Sequence, residues 1–232
     1  MYLYTSHGIG RIAGLDVLLG ETTRLYRVWQ RNSASAVIGW GCKPTTQKAR
    51  KLSARLGIPY VSIEDGLLRS VNLGDRDSPL SLVVDDLGIY YDATKPSRLE
   101  MLISQPLSQS RVERIRAVRL AWQTNRVSKY NHQPEYQGEK LPERYVLVVD
   151  QTLGDASVQF GLANEQSFQN MLDAALAENP DCIVVIKIHP DVFCGRKKGY
   201  FDIEELSAKA QVRVLVEDVH PVSLIEQSQA IY

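Results

Sequence analysis

The sequence predicts an α/β fold in two halves, and three observations predict it. Short apolar runs alternate with amphipathic stretches along the chain, with no internal repeat and no low-complexity tract. One run, Tyr145-Val146-Leu147-Val148-Val149, is continuously apolar, as a parallel strand covered on both faces must be. Between the halves, Tyr130 to Arg144 gathers Asn131, Gln133, Pro134, Gly138 and Pro142, a linker composition.

Each element follows from local chemistry. Ala36 to Trp40 is a strand that leaves into Gly41-Cys42-Lys43-Pro44. A helix over Thr45 to Leu56 has Ala49, Leu52 and Leu56 at helical spacing, and Gly57 stops it. Ile58 to Ile63 is the next strand, so this strand–helix–strand unit implies parallel pairing. Leu80 to Val84 and Ile89 to Tyr91 flank Asp85-Asp86-Leu87-Gly88, which predicts a hairpin. Helices follow over Pro96 to Ile103 and Ser108 to Val127. After the linker come the strand Tyr145 to Val149, a helix over Glu165 to Glu178 with Phe168, Met171, Leu172, Ala175 and Leu176 on one face, and the strand Ile183 to Ile188. Gln211 to Val216 is a strand, Pro221 to Ser228 a short helix, and Ala230-Ile231-Tyr232 the opening of a further strand. The second half is therefore expected to be incomplete.

Composition excludes several classes. The 232 residues hold 27 Lys+Arg and 27 Asp+Glu, a formal net charge of zero. A general nucleic-acid binder needs excess cations to displace counterions. No apolar run approaches the roughly 18–20 residues of a membrane span, and Met1 to His7 lacks the pattern of a signal peptide. Three cysteines (Cys42, Cys182, Cys194) form no CxxC pair, which points to a reducing cytosol rather than a zinc ribbon or a disulfide framework. No Walker A loop, GxGxxG, GxSxG or HExxH is present.

Three motifs sit at strand ends, where open α/β sheets bind ligands. Lys187-Ile188-His189-Pro190-Asp191 places a histidine able to donate to a phosphate, and Gly195-Arg196-Lys197-Lys198-Gly199 follows with three cations. A strand-end cap beside a solvated charge run is the alternative. Asp150-Gln151-Thr152-Leu153-Gly154-Asp155 holds two carboxylates, one of them a candidate nucleophile or general base; Asp155 equally suits a helix N-cap. Glu64-Asp65-Gly66-Leu67-Leu68-Arg69-Ser70 offers an acid/base set or a surface ion pair. Asp85, Asp86 and Asp92 suit turns better than a metal. Ser6-His7-Gly8-Ile9-Gly10 becomes a first strand-end loop if Tyr2-Leu3-Tyr4 is a strand. His220-Pro221 starts a helix. Arg111, Arg114, Arg116, Arg119 and Arg126 make the helix after Ser108 basic, suited to solvent or to anionic lipid.

Several strings are long and unusual: Gly39 to Pro44, Glu64 to Ser70, Pro79 to Ala93, Ser128 to Asn131, Asp150 to Thr152 with Gly154 to Ser157, Lys187 to Val192, and Gly195 to Tyr200. Together they resemble the bacterial capsule-polysaccharide β-Kdo glycosyltransferases of the KpsC/LipA type. Asp150-Gln151-Thr152 is similar to the first of the two transferase modules of such proteins. The resemblance implies a GT-B-like α/β fold, two Rossmann-like domains facing a cleft: residues 1–135 on the acceptor side and 141–232 as a truncated nucleotide-binding domain. It implies transfer of Kdo from CMP-Kdo, with retention, to an oligo-Kdo lipid linker, with neither cofactor nor metal. Asp155 is then the nucleophile, Glu64 the acid/base and His189 the group that binds the CMP phosphate. Lys187, Asp191, Lys197 and Arg69 are expected to bind substrate. Capsule assembly proteins are expected partners, nucleic acid is not, and the place of work is the cytoplasmic face of the inner membrane. The family's Thr-Ser-x-x-Gly-Phe-Glu-type segment does not occur before Tyr232, so the 232-residue chain is expected to be inactive or nearly so. Competing readings are another cell-envelope glycosyl- or glycerophosphotransferase, a non-catalytic nucleotide- or sugar-binding subunit, and a metal-dependent hydrolase built on Asp150, Asp155, His189 and Asp191.

Overall fold

The computed structural model describes residues 1–29, 33–74, 76–137 and 141–232, which leaves Gly138 of the linker outside. The chain divides into two units, Met1–His132 and Gln133–Tyr232, each with its own sheet. The α/β class is as the sequence predicts.

The first unit runs β1 (Tyr2–Tyr4), α1 (Leu15–Leu19), β2 (Thr23–Leu25), β3 (Ala36–Trp40), α2 (Gln47–Leu56), β4 (Tyr60–Asp65), β5 (Leu82–Asp85), α3 (Arg98–Ile103) and α4 (Gln109–Thr124). The sheet order is β2-β1-β3-β4-β5, parallel except for β5. The period of two sorts its side chains. Leu3 and Val37 pack with Ala49 and Leu52 of α2, whereas Ile38 and Ile63 pack with Ile9 and Leu15. Chain order reverses at β1, with β2 on one side and the next strand, β3, on the other. Such a reversal opens a crevice beyond the carboxyl ends of the two flanking strands.

The predicted hairpin is not formed. β5 pairs antiparallel with β4, and Ile89 to Tyr91 make no strand. The cause is Asp85. Its Oδ1 accepts from the amides of Leu87 (2.9 Å) and Gly88 (2.8 Å), and its Oδ2 from that of Arg98 (2.9 Å). These bonds to the buried carboxylate turn the chain away from the sheet and tie the turn to the start of α3.

α3 starts on a capping box of Ser97 and Glu100, and α4 on Ser108. Neither helix buries a residue. On α4, Arg111, Arg114 and Arg119 alternate with Ile115, Val118 and Trp122 around a surface depression of about 830 Å³.

The second unit runs β6 (Tyr145–Val149), α5 (Ala156–Phe160), α6 (Glu165–Glu178), β7 (Ile183–Lys187), α7 (Pro190–Phe193), α8 (Ile203–Ser207), β8 (Val212–Leu215) and α9 (Pro221–Ile225). The three strands are parallel in the order β6-β7-β8. Both faces are covered, as the continuous apolar run requires. Val146, Val148, Val184 and Ile186 meet Phe168 and Leu172 of α6; Tyr145, Leu147 and Val185 meet Leu224 of α9. Ala230 to Tyr232 lie against the other edge of β6, where the Leu147 and Tyr232 amides donate to the Ala230 and Leu147 carbonyls. No helix among the described residues is long and apolar enough to cross a membrane.

Candidate functional site

Each unit carries a pocket beside a strand-end loop. In the first, a pocket of about 690 Å³ opens where the chain order reverses. Ser6, Gly8, Ile9 and Ile12 line it after β1, Trp40 at the end of β3 with Lys43 and Thr45 beyond it, and Glu64 and Asp65 at the end of β4 with Arg69 beyond it. Tyr2–Tyr4 is a strand, so Ser6 to Gly10 is indeed a strand-end loop.

Glu64 is half-buried, and burial raises its carboxyl above the usual range against the opposing pull of the Asp65 amide and Lys43. Its Oε1 accepts from the Asp65 amide at 3.1 Å, and its Oε2 lies 3.4 Å from the Tyr91 hydroxyl. Arg69 also borders the pocket, but its guanidinium is occupied. Nε donates to Asp65 (3.0 Å), one terminal nitrogen to Ser70 Oγ and the Asp77 carbonyl (3.0 and 2.5 Å), and the other to the Gly74 carbonyl (3.3 Å). The side chains of Arg69 and Asp65 are only 7% and 17% exposed, so this is a buried pair and not the surface pair that spacing suggested. Arg69 ties the loop after Ser70 to the end of β4.

In the second unit the two loop motifs are stitched together. The Leu153 amide donates to the Lys198 carbonyl (2.7 Å), and Thr152 bridges to Gly199. Asp150 accepts on Oδ1 from the amides of Gln151 (2.8 Å) and Tyr200 (3.1 Å), whose ring stacks on Phe168. Asp150 Oδ2 is buried with no hydrogen-bond partner among the described residues, and burial raises this carboxyl. Gly199 lies so close to it that a Cβ would overlap the oxygen.

Asp155 caps α5: Oδ1 accepts from the Ser157 amide (2.8 Å) and hydroxyl (2.7 Å). Capping leaves Oδ2 clear, so the capping and nucleophile readings are compatible. The carboxylate borders a pocket of about 630 Å³ with Gln159, Asn164 and Tyr200. His189 caps α7 through Nδ1, which accepts from the Asp191 amide at 3.1 Å. A ring nitrogen that accepts carries no proton, so the neutral ring bears its proton on Nε2. Burial lowers this imidazole further, aided by Lys197 and Lys187 and opposed by the carboxylates of Asp191 and Asp155.

The cations differ from one another. Lys187 donates to the Glu217 carbonyl (2.6 Å) and to its neighbour Ile188 (3.1 Å), so it braces the loop after β8. Asp191 pairs with Arg196 (2.9 Å) and Lys197 (3.8 Å), both more than half exposed. Among the described residues, no three His, Cys, Asp or Glu side chains gather as a metal site would need. Spacing alone missed Tyr91. It lies within Pro79 to Ala93, and reading that string as a hairpin hid it.

The model of capsule polysaccharide biosynthesis proteins matches residues 35–142 and 110–232. The chain belongs to this family. It is 41% identical over 240 residues to "Capsule polysaccharide modification protein LipA" of Neisseria meningitidis serogroup A, covering 98% of this chain and 33% of LipA. It is 36% identical over 172 residues to "Lipopolysaccharide-processing protein LpsZ" of Rhizobium meliloti, covering 71% of this chain and 39% of LpsZ. The chain thus spans about a third of the length of LipA. A solved structure titled "Thermosulfurimonas dismutans KpsC, beta Kdo 2,4 transferase" matches with a TM-score of 0.87 and 39% identity, covering 100% of this chain and 73% of that one. A second, "Thermosulfurimonas dismutans KpsC, beta Kdo 2,7 transferase", matches at 0.60 and 23% identity and shares the fold.

Proposed function

We propose that the chain carries a retaining β-Kdo transferase site in a GT-B-like organisation, with CMP-Kdo as donor and an oligo-Kdo lipid linker as acceptor. The observation that carries this reading is the stitched loop pair of the second unit, in which the Asp155 carboxylate and the Lys197 ammonium each act on the His189 imidazole. The similarity to the β-Kdo 2,4 transferase supports the sugar.

The chemistry follows from the side chains. Asp155 Oδ2 attacks the anomeric carbon of Kdo while the bond to the CMP phosphate breaks, and the electron pair leaves with CMP. His189 donates from Nε2 to the phosphate, and the cations of Arg196 and Lys197 face its charge. An acceptor hydroxyl then attacks the same carbon and loses its proton to a general base, the role this reading gives to Glu64, and the Asp155 carboxylate departs. Two inversions give retention. Glu64 suits this role because burial moves its carboxyl toward neutrality. Asp191 holds Arg196 and Lys197 in place, Arg69 braces the wall of the first pocket, and Lys187 braces the loop after β8. The reading calls for no cofactor.

A lipid-linked acceptor implies peripheral work at the inner face of the membrane, to which the arginines of α4 are suited. The direct test is donor choice. The full-length gene product is incubated with a lipid-linked oligo-Kdo acceptor and CMP-Kdo, a UDP-sugar or CDP-glycerol in turn. Transfer from CMP-Kdo alone is expected; transfer only from another donor would replace Kdo with that donor's group.

A further inference from the structure

Three sequence strings of the first unit meet at one point: the loop after β3, the end of β4 and the turn after Gly88. Tyr91 reaches this point from the turn. Its hydroxyl accepts from the Cys42 amide at 2.9 Å and faces Glu64 Oε2 at 3.4 Å. Its ring is held edge-on by Tyr90, 5.2 Å between centroids. Gly41 lies between these groups with φ +50°, and a Cβ there would meet both the Tyr91 hydroxyl and Glu64 Oε2. Only glycine has the shape and the backbone freedom for that place.

We propose that Tyr91 is the positioning residue of Glu64, a phenol that orients the carboxyl toward the pocket and is itself fixed by the Cys42 amide. The proposal rests on the reading of Glu64 as the acid/base and goes beyond it by naming what aims that group. The geometry assigns each proton. The hydroxyl accepts from a backbone N–H, so its own hydrogen is free to be donated, and the carboxylate is the acceptor in front of it. Burial raises the Tyr91 phenol, which keeps that hydrogen in place wherever Glu64 is ionised.

The other groups around Glu64 approach it from other elements than the turn after Gly88. Asp65 and Arg69 are paired with each other. Lys43 acts on Glu64 by its charge from the loop after β3, and the Trp40 side chain, at the end of β3, is a second hydrogen-bonding neighbour of the carboxyl. Tyr130 feels the charge of both Glu64 and Asp65, the Cys42 thiol lies beside Tyr91, and Arg11, Arg76 and Asp77 close the pocket wall.

The test reads Glu64 directly and needs no turnover. Carboxyl carbons of glutamate are followed by carbon-13 NMR against pH in the intact protein, and Glu64→Gln identifies the Glu64 signal. A donor to the charged form lowers a carboxyl, so Tyr91→Phe is expected to raise the Glu64 midpoint by about half to one pH unit. The Cys42 amide signal should move as well. In the transfer assay the same variant should lose about tenfold in kcat with little change in KM for the donor. If Tyr91→Phe does not fold, 3-fluorotyrosine in place of Tyr91 makes a stronger donor and should lower the midpoint. A Glu64 midpoint that stays put in a folded variant overturns the proposal. Absence of Kdo transfer by the unsubstituted full-length gene product, with the midpoint shifted, overturns the proposed function and leaves the Tyr91–Glu64 coupling standing.

Discussion

Replacing Gly41 by alanine measures how tightly the loop after β3 is built. The backbone there has φ +50°, which costs an L-residue about 1–2 kcal/mol. The new Cβ would lie 2.7 Å from Glu64 Oε2 and overlap the Tyr91 hydroxyl. Glu64 can swing its carboxyl aside, whereas Tyr91 can retreat only by giving up its bond to the Cys42 amide, worth about 1 kcal/mol. Gly41→Ala should therefore destabilise by about 2–3 kcal/mol, and Tyr91→Phe by about 1 kcal/mol through the same lost bond. In the double variant the overlapping oxygen is gone and the bond is lost only once. The total should stay at about 2–3 kcal/mol, a coupling of about 1 kcal/mol. Urea unfolding at matched protein concentration gives all four corners of this cycle. Additivity within about 0.3 kcal/mol would refute the argument that Gly41 and Tyr91 share one space.

Arg69→Met should cost about 3–5 kcal/mol in urea unfolding, because it leaves Asp65 buried and three carbonyl or hydroxyl acceptors unmet; a loss below about 1 kcal/mol would show the pair to be solvated. Asp150 bears on the pH dependence of stability. Its folded pKa lies above the unfolded one, so its contribution is fully present below the ordinary aspartate value of 3.8 and is lost as pH rises through the folded value. The stability of the unaltered protein relative to Asp150→Asn should accordingly fall as pH rises from about 3.8 toward neutral, and a flat difference would contradict a raised carboxyl. For α4, flotation with vesicles containing anionic phosphatidylglycerol should recover the protein at low salt and lose it at high salt. Combined Arg111→Gln, Arg114→Gln and Arg119→Gln should abolish recovery; unchanged flotation would place the membrane contact elsewhere.

What the sequence made legible divides along physical lines. The strands of the second unit were readable because burial on both faces leaves an unbroken apolar run, and Tyr145 to Val149 is buried except at its last residue. The starts of α3, α4 and α6 were readable to within two residues, marked by Ser97, Ser108 and the Asn164 to Ser167 box. β2 and α1 were not, since three- and five-residue elements hold too few positions to display a period. The predicted hairpin failed because Asp85 spends both oxygens on local amides, a choice that propensity cannot foresee.

The candidate site was legible as a set of strand-end motifs but not as a set of partners. Asp155 and His189 each make the capping bond that the sequence offers as the alternative, through Oδ1 and Nδ1, so the other oxygen and the other nitrogen are the atoms that chemistry would use. Nothing in the spacing told Arg69 and Lys187, which are consumed by backbone carbonyls, from Arg196 and Lys197, which stay open to solvent. The bridge between Thr152 and Gly199 joins residues far apart in the chain, so only the folded backbone reveals it.

The central claim is that Asp155 takes Kdo from its nucleotide. The full-length gene product is mixed with CMP-Kdo in the absence of acceptor, quenched in acid, and weighed intact beside Asp155→Ala. The account predicts a mass gain of one Kdo residue in the unaltered protein, mapped to the peptide that holds Asp155, and none in the variant. A gain that persists in Asp155→Ala, or that maps to another carboxylate such as Asp150, would contradict it.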